Sequence, residues 1–221
     1  AIVYLLGQPE FEVIALTISG TGIAHCPDAA HNLSALLERI DAPQIPVACG
    51  RTTPLAGSNE APPAFRNAAD TLGGVDLPEP RSLSELDAPA LLVDAIKSAD
   101  SNVTIVALGP LTNIAEALNS DPEILTNVEM MYLMGGAVDF GGNVLYGNPE
   151  AEFNIWADPT AADLVFATEV PITLIPLDAT NHLPVTPYLY EVAEAHQDHS
   201  TVSTFTADYL RATPLFGGMY H

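Results

Sequence analysis

The chain alternates between short apolar runs of strand length and amphipathic stretches of helix length, separated by glycine or proline. Three such runs are Val103–Leu108, Glu129–Met134 and Ile172–Leu177, and helical patterns begin at Asn113 and Asp158 between them. Strands that alternate with helices in this way are typical of parallel sheets with crossover helices. The pattern therefore predicts an α/β protein with a mostly parallel central sheet and helices on both faces.

The first half of the chain shows the same alternation and adds a long excursion. Glu12–Ser19 predicts a strand, a helix starts near Asp28 and ends near Asp41, and IPVACG is the next strand. Residues 51–89 are rich in Pro, Gly, Asn and Ser, which predicts a flap or surface insertion. Hydrophobic residues make up 48% of the sequence. We therefore expect residues 1–221 to form a single domain around one core.

Both ends of the chain have the pattern of an interior segment. Ile2–Leu6 resembles the last turns of a helix that is already amphipathic at its first residue. The other end stops at His221 without a polar tail or a closing element. We therefore expect the sequence to be the interior of a longer protein.

Charge and cysteine content exclude several classes of protein. There are 28 acidic residues against 6 Lys plus Arg, a net charge of −22, so the surface repels nucleic-acid phosphates and anionic lipid. No apolar run is long enough to span a membrane, and no signal peptide is visible, so we expect a cytoplasmic location. Cys26 and Cys49 form neither a disulfide framework nor a zinc motif, and we expect them to be reduced and packed.

Polar side chains collect where the predicted strands end. Thr112 and Asn113 follow the first of the three strands named above, and either residue is a candidate helix cap. Asp158, followed by proline, has the pattern of an N-cap. Since ligands of open α/β sheets bind at the carboxyl ends of the strands, we expect the site at this edge.

The segment AEFN carries the most specific of these polar groups. Glu152 and Asn154 are separated by one apolar residue, so an extended segment would place the carboxylate and the amide on the same side. A buried carboxylate needs donors, and adjacent hydroxyls of a sugar would supply them. The alternative is a solvated loop.

Five motifs in register resemble one known family. ALGPLTN, MGGA and AEFNIWADPTAADLVF, together with IPVACG and PITLIPLDAT, are similar to the inosine/uridine-preferring nucleoside hydrolases. The resemblance covers essentially the whole chain. It implies hydrolysis of the N-glycosidic bond of ribonucleosides to ribose and free base.

The resemblance also implies site residues. It implies one bound Ca²⁺, with the backbone carbonyl of Thr112 as a ligand, and ribose contacts from Met134, Glu152 and Asn154. An upstream asparagine completes the ribose site, and both Asn143 and Asn148 are candidates because the spacer is long. The resemblance further implies a homodimer or homotetramer.

The mechanism implied by the family is attack of metal-activated water on the anomeric carbon as the ribose gains oxocarbenium character. The family's aspartates that bind the metal and act as the base would lie before Ala1 and after His221. His221 itself falls near the family's leaving-group histidine, and otherwise it is only a chain-terminal residue.

Two other functions are compatible with parts of the pattern. One is a nucleoside- or sugar-binding module without catalysis, in which the missing carboxylates are a real property of the protein. The other is a dinucleotide-binding enzyme, but SGTGIAH is a poor match to the required glycine fingerprint. We favour the hydrolase.

Overall fold

The computed structural model describes residues 1–212 as alternating helices and short strands. The helices are α1 (Ile2–Leu6), α2 (Cys26–Arg39), α3 (Pro63–Asp70), α4 (Ala88–Ser98), α5 (Thr112–Ser120), α6 (Phe153–Ala157), α7 (Pro159–Phe166), α8 (Leu177–Thr180), α9 (Pro187–Ala195) and α10 (Thr201–Ala212). The strands are β1 (Leu16–Ile18), β2 (Val47–Cys49), β3 (Val103–Ala107), β4 (Val128–Met134) and β5 (Ile172–Ile175). Short 3₁₀ helices lie at Leu72–Gly74, Pro122–Asn127 and Gln197–His199.

All strand pairings are parallel, and they form two sheets. β1 pairs with β2, while β4 lies between β3 and β5 in a three-stranded sheet. In the larger sheet Ile105 lies opposite Met131, and Leu133 lies opposite Leu174. Each parallel pair is joined through at least one helix, as parallel connections require. The predicted α/β class with parallel strands is confirmed.

The main apolar core lies between the three-stranded sheet and helices α4, α5 and α7. Side chains alternate along a strand, so Met131 and Leu133 point into this core while Tyr132 between them is exposed. Ile114 of α5 and Val165 of α7 pack against the same sheet face. The packing of this core against α4, α5 and α7 therefore fixes the carboxyl ends of β3 and β4.

The described helices are short compared with a helix that crosses a membrane. The longest helices that the structure describes are α2 with 14 residues and α10 with 12. A helix that crosses a bilayer needs about 20 residues. Within residues 1–212, no helix is long and apolar enough to cross a membrane.

The excursion at residues 51–89 has more structure than its composition suggested. It contains α3, and Arg66 of that helix is only 2% exposed. The Arg66 guanidinium donates a hydrogen bond to the carbonyl of Gly20 at 3.1 Å, and its Nη1 lies 3.5 Å from the Glu60 carboxylate. A buried cation therefore attaches the excursion to the end of β1.

The two cysteines are joined, so the prediction that they are reduced was wrong. Cys26 is the first residue of α2 and Cys49 is the last residue of β2, and a disulfide links them with their Cα atoms 5.7 Å apart. The β1–α2–β2 crossover brings the start of the helix beside the end of the neighbouring strand. Their separation of 23 positions in the sequence conceals this proximity.

The predicted cap of α5 was also wrong. The N-cap is Leu111, which has no side-chain acceptor, and Thr112 and Asn113 lie inside the helix. Their side chains are used for tertiary contacts instead. Asn113 Nδ2 donates to the carbonyl of Ile18 at 3.0 Å and so connects α5 to the smaller sheet.

Candidate functional site

Three of the predicted site residues, Met134, Glu152 and Asn154, lie together at α6, which lies across the carboxyl ends of β3 and β4. The sequence predicted an extended AEFN segment, but Glu152 is the N-cap of α6 and Asn154 is in its first turn. The extended conformation was therefore a wrong prediction. Its physical cause is the Glu152 carboxylate, which accepts the free N–H groups of the first helical turn and stabilises a helix there.

Glu152 is a buried carboxylate that joins two elements. It is 3% exposed; its Oε1 accepts from the backbone N–H of Asn154 at 2.9 Å, and its Oε2 accepts from Ile155 at 3.1 Å and Gly136 at 3.0 Å. Gly136 follows β4 and has a φ of 80°. A positive φ of this kind favours glycine. Since a carboxylate offers about four acceptor sites, roughly one, on Oε1, is left for a ligand.

Asn154 connects the ends of the two strands. Its Nδ2 donates to the carbonyl of Met134 at 3.0 Å, lies 3.1 Å from the Met134 sulfur, and reaches the Leu108 carbonyl at 3.5 Å. Asn154 Oδ1 accepts no hydrogen bond from residues 1–212, so this oxygen remains available as an acceptor. The structure therefore brings Met134, Glu152 and Asn154 together.

The two candidate asparagines differ in their relation to this group. Asn143 Oδ1 accepts from the backbone N–H of Phe153 at 2.8 Å, so its side chain contacts the first residue of α6. Asn148 Oδ1 accepts only from Glu150, at 3.2 Å, in a local turn. Both asparagines are exposed. Asn143 thus lies beside the Glu152–Asn154 group, and Asn148 does not contact it.

Thr112 lies just after the end of β3, fully buried, with its hydroxyl between two polar partners. It donates to Asp158 Oδ2 at 2.8 Å and lies 2.9 Å from the hydroxyl of Thr21. Asp158 is the N-cap of α7, as predicted, and accepts from Ala161 N at 3.1 Å. It also accepts from the backbone N–H of Leu55 at 2.9 Å.

The described residues near Thr112 do not fit a calcium site. Calcium takes six to eight oxygen ligands at about 2.3–2.6 Å, mostly from carboxylates. The one carboxylate bonded to Thr112 is Asp158, and both of its oxygens already accept hydrogen bonds. The Thr112 carbonyl alone supplies a single oxygen. A calcium ion held here would need ligands from outside residues 1–212.

Asp178 follows β5 at the same edge and has a structural contact. Its carboxylate accepts from the backbone N–H groups of Val138 at 2.9 Å and Asp139 at 2.7 Å. Such bonds stabilise the charged form of a carboxyl, and they lower the pKa of Asp178 below its usual range. The carboxylate therefore ties the loop after β4 to the start of α8.

One group of metal-ligating side chains lies elsewhere. Among residues 1–212, His25, Asp28 and Asp70 are the only three whose ligand atoms lie within 4.8 Å of one another. His25 Nδ1 is 2.6 Å from Asp70 Oδ2, and the His25 backbone N–H donates to Asp70 Oδ1 at 2.7 Å. Burial raises the pKa of Asp70, but these two bonds together with the charges of His25 and Arg66 lower it by more, and the net shift is downward. The histidine and Asp70 thus satisfy each other.

Two further outcomes concern the predicted and the missed residues. His221 lies outside the described residues. The long-range contacts of Asp158 with Thr112 and Leu55 were missed, because the Asp-Pro pattern signals only a local cap. The buried Arg66 was missed as well, since no sequence pattern distinguishes it from a solvated arginine.

Comparisons with known proteins find relatives that match nearly the whole chain. The sequence profile described as inosine-uridine preferring nucleoside hydrolase matches residues 1–218. Uridine nucleosidase 1 of Arabidopsis thaliana is 35% identical over 96% of this chain and 62% of its own length. The pyrimidine-specific ribonucleoside hydrolase RihA of Klebsiella pneumoniae is 33% identical over 95% of this chain and 65% of its own. The chain thus spans less than two thirds of the length of these relatives.

Solved structures that resemble this fold are also nucleoside hydrolases. The plant nucleoside hydrolase PpNRh1 superposes with a TM-score of 0.84 at 35% identity, over 100% of this chain and 67% of that one. A purine-preferring ribonucleoside hydrolase from Gardnerella vaginalis gives a TM-score of 0.79 at 31% identity, over 98% of this chain and 71% of that one.

Proposed function

Because the chain belongs to the inosine-uridine preferring nucleoside hydrolase family, we propose that the protein hydrolyses the N-glycosidic bond of ribonucleosides to ribose and free base. The observation that carries the proposal is the joining of Glu152 and Asn154 with Met134 at the ends of β3 and β4. Each of the two polar side chains keeps an acceptor oxygen beyond its internal bonds. Acceptors of this kind suit the vicinal hydroxyls of a ribose.

We assign the substrate-binding roles residue by residue. The spare acceptor of Glu152 Oε1 and the Oδ1 of Asn154 take hydrogen bonds from ribose hydroxyls, and Met134 contacts the ring. Asn143 is our choice for the upstream asparagine, since its side chain is bonded to the first residue of α6 and that of Asn148 is not. Glu152 would bind more strongly as positive charge develops on the ribose, because its carboxylate is fixed in a buried setting.

The reaction we propose is attack of water on the anomeric carbon through an oxocarbenium-like transition state. The chain's own residues bind and orient the ribose, which brings the anomeric carbon into one position. The base that takes the proton from water is not assigned among residues 1–212. Calcium and the role of the Thr112 carbonyl remain predictions from the family resemblance, and we derive no step through the metal.

The substrate preferences of the relatives differ and leave the nucleobase preference of this protein open. The curated relatives include a uridine nucleosidase and a pyrimidine-specific hydrolase, whereas one solved relative is purine-preferring. The cytoplasmic location and the homodimer or homotetramer also remain predictions.

The activity is tested on the protein expressed from its full reading frame. Inosine and uridine are incubated with it separately, and the released base is measured by chromatography and the ribose by a reducing-sugar assay. We expect equal amounts of base and ribose. Nucleoside binding by calorimetry without any release of the nucleobase would contradict hydrolysis and favour a non-catalytic binding module.

The metal is tested separately by titrating the 221-residue chain with calcium. Because affinity depends on the number of charged ligands, and the Thr112 carbonyl is the only ligand that the family resemblance implies among residues 1–212, we expect dissociation constants no tighter than the order of millimolar. Binding in the micromolar range would show that other residues of this chain form a calcium site.

A further inference from the structure

Helix α6 lies between two buried carboxylates, one at each end. Glu152 caps its start and accepts from Gly136 at the end of β4. Asp158 follows its last residue and is 0% exposed. Asn154, the proposed ribose ligand, lies between them. The position of α6 relative to the strand ends is therefore fixed at two points.

Asp158 makes contacts that a helix cap does not need. Its Oδ1 accepts from Ala161 N, which caps α7. Its Oδ2 accepts from the Thr112 hydroxyl of α5 and from Leu55 N of the excursion, at 2.8 and 2.9 Å. One carboxylate thus joins the end of α6, the start of α5 and the segment that follows β2.

The hydroxyls of Ser19, Thr21 and Thr112 form a chain of hydrogen bonds in which the donor of each bond can be assigned. A hydroxyl has one proton to donate. Thr112 gives its proton to Asp158, so in its contact with Thr21 at 2.9 Å the donor must be Thr21. The proton of Thr21 is then used, and Ser19, 2.8 Å away, must donate to Thr21. A relay that runs from Ser19 to Asp158 therefore connects the end of β1 to α6.

We propose that Asp158 is a positioning residue for the ribose site: by holding Thr112 and Leu55 it fixes α6, and with it Asn154, across the ends of β3 and β4. The proposal rests on the proposed function for its effect on activity. Asp158 does not touch the substrate. It acts through the placement of Asn154, and it needs an acceptor at both carboxylate oxygens to do so.

The first test replaces the acceptor without changing the shape. In Asp158→Asn one oxygen becomes an NH₂ group, which cannot accept, so the N–H of either Ala161 or Leu55 loses its acceptor. The matched control is Asp87→Asn, because Asp87 also caps a helix, through Ala90 N at 2.9 Å, but is exposed and its carboxylate bonds to no other element among residues 1–212. Both variants are compared with wild type in ribonucleoside kinetics and in amide hydrogen exchange.

We expect Asp158→Asn to raise KM and to lower kcat/KM on the order of ten- to a hundredfold, since small misplacements of binding groups have effects of that size. Hydrogen exchange at Leu55 and across residues 153–157 should be faster. Asp87→Asn should change neither. A variant that was merely less stable would lower the amount of active protein, which reduces the apparent kcat and leaves KM unchanged.

A second pair of variants tests the relay. Thr112→Val keeps the side-chain volume and removes the hydroxyl, and it should raise KM in the same direction as Asp158→Asn, whereas Thr112→Ser should recover most of the loss. Thr126→Val is the control, since its hydroxyl bonds only to exposed groups next to β4.

The exchange measurement separates the two proposals. If wild type hydrolyses no ribonucleoside, the proposed function fails, and faster exchange at residues 153–157 in Asp158→Asn still supports the fixing of α6. If exchange at those residues and KM in Asp158→Asn both stay within twofold of Asp87→Asn, the positioning role is wrong.

Discussion

The half of the molecule around β1 and β2 is held together differently from the half around β3, β4 and β5. The first half has a smaller apolar cluster around α2 and β2 and adds specific links to it: the Cys26–Cys49 disulfide, the buried Arg66 and an Arg81 that bonds to Glu38 and to two backbone carbonyls after α2. The second half relies on the main apolar core. Its buried carboxylates lie at the strand ends and accept mostly backbone N–H groups.

This difference follows from composition. The excursion at residues 51–89 has few large apolar side chains, and the charged contacts of Arg66 and Arg81 add to the little burial that these provide. The three-stranded sheet packs against helices on an apolar face, which leaves the polar groups at its carboxyl edge free for other tasks. We therefore expect substitutions in the first half to change stability, and substitutions at the edge of the second half to change activity.

The largest effect should come from Glu152→Ala. This variant should lower both stability and activity, and so it departs from the division of effects between the two halves. Three N–H groups lose their acceptor, one of them buried and two partly buried, so at about 1 kcal/mol or more each the free energy of unfolding should fall by at least about 3 kcal/mol. Loss of a charged contact to ribose should also lower kcat/KM by on the order of a hundredfold. Urea unfolding and steady-state kinetics measure the two effects.

Glu152→Gln is the sharper companion variant. It keeps the shape and one acceptor oxygen, so it should lose less stability than Glu152→Ala while remaining impaired in kcat/KM. A Glu152→Ala protein that is destabilised but keeps kcat/KM within about twofold of wild type would reduce Glu152 to a helix cap.

The second largest effect should come from removing the disulfide of the first half. This change should lower stability and leave activity nearly unchanged. A Cys26→Ala, Cys49→Ala double variant removes a link that closes a loop of 23 positions. Chain-entropy arguments put the contribution of such a link at about 3 kcal/mol. We expect the urea midpoint to fall by a corresponding amount and kcat/KM to change by less than about threefold. Two thiols that react with a thiol reagent in the folded, unreduced protein would contradict the disulfide.

The third largest effect is on kcat/KM, and it should distinguish two asparagines at the edge of the second half. The Asn143 side chain contacts the start of α6, and that of Asn148 does not. Asn143→Ala should therefore lower kcat/KM by about tenfold, and Asn148→Ala should stay within about twofold. Each variant serves as the control for the other, because both residues are exposed. The reverse order of effects would assign the ribose contact to Asn148.

How much of this was predictable depends on how local each signal is. Strands β3 and β4 match the predicted Val103–Leu108 and Glu129–Met134 to within one residue at each end, because apolar runs and glycine stops are encoded locally. The Asp158 cap was predictable for the same reason. The prediction for residues 51–89 missed α3, whose position depends on the tertiary contact of Arg66.

The missed contacts all depend on which strand ends become neighbours. Cys26 meets Cys49 only after β1 and β2 pair, and Glu152 meets Gly136 only after α6 lies across the end of β4. The spacing in AEFN predicts an extended segment, because spacing alone cannot tell a two-residue alternation from the first turn of a short helix. The N–H of Gly136, which holds Glu152 at the end of β4, is 16 positions away.

The smallest effect is a pH dependence in the first half, at Asp70. Burial raises the pKa of this carboxyl, but the hydrogen bonds from the His25 ring and backbone N–H outweigh it, with help from the Arg66 charge, so the folded-state pKa lies below the ordinary 3.8. A lowered pKa contributes stability that is present above the ordinary value and is lost as the pH falls through the folded value. Wild type should therefore be more stable than Asp70→Asn at pH 7, and the difference should shrink progressively below about pH 5.

Urea unfolding over this pH range measures the difference between wild type and Asp70→Asn. Asp76→Asn is the control, because Asp76 is exposed and its carboxylate has no bonded partner among residues 1–212. The difference between Asp76→Asn and wild type over the same pH range is the baseline against which Asp70→Asn is compared. A difference for Asp70→Asn that stays constant down to pH 2 would show that Asp70 stabilises the fold through its shape and neutral hydrogen bonds and not through its charge.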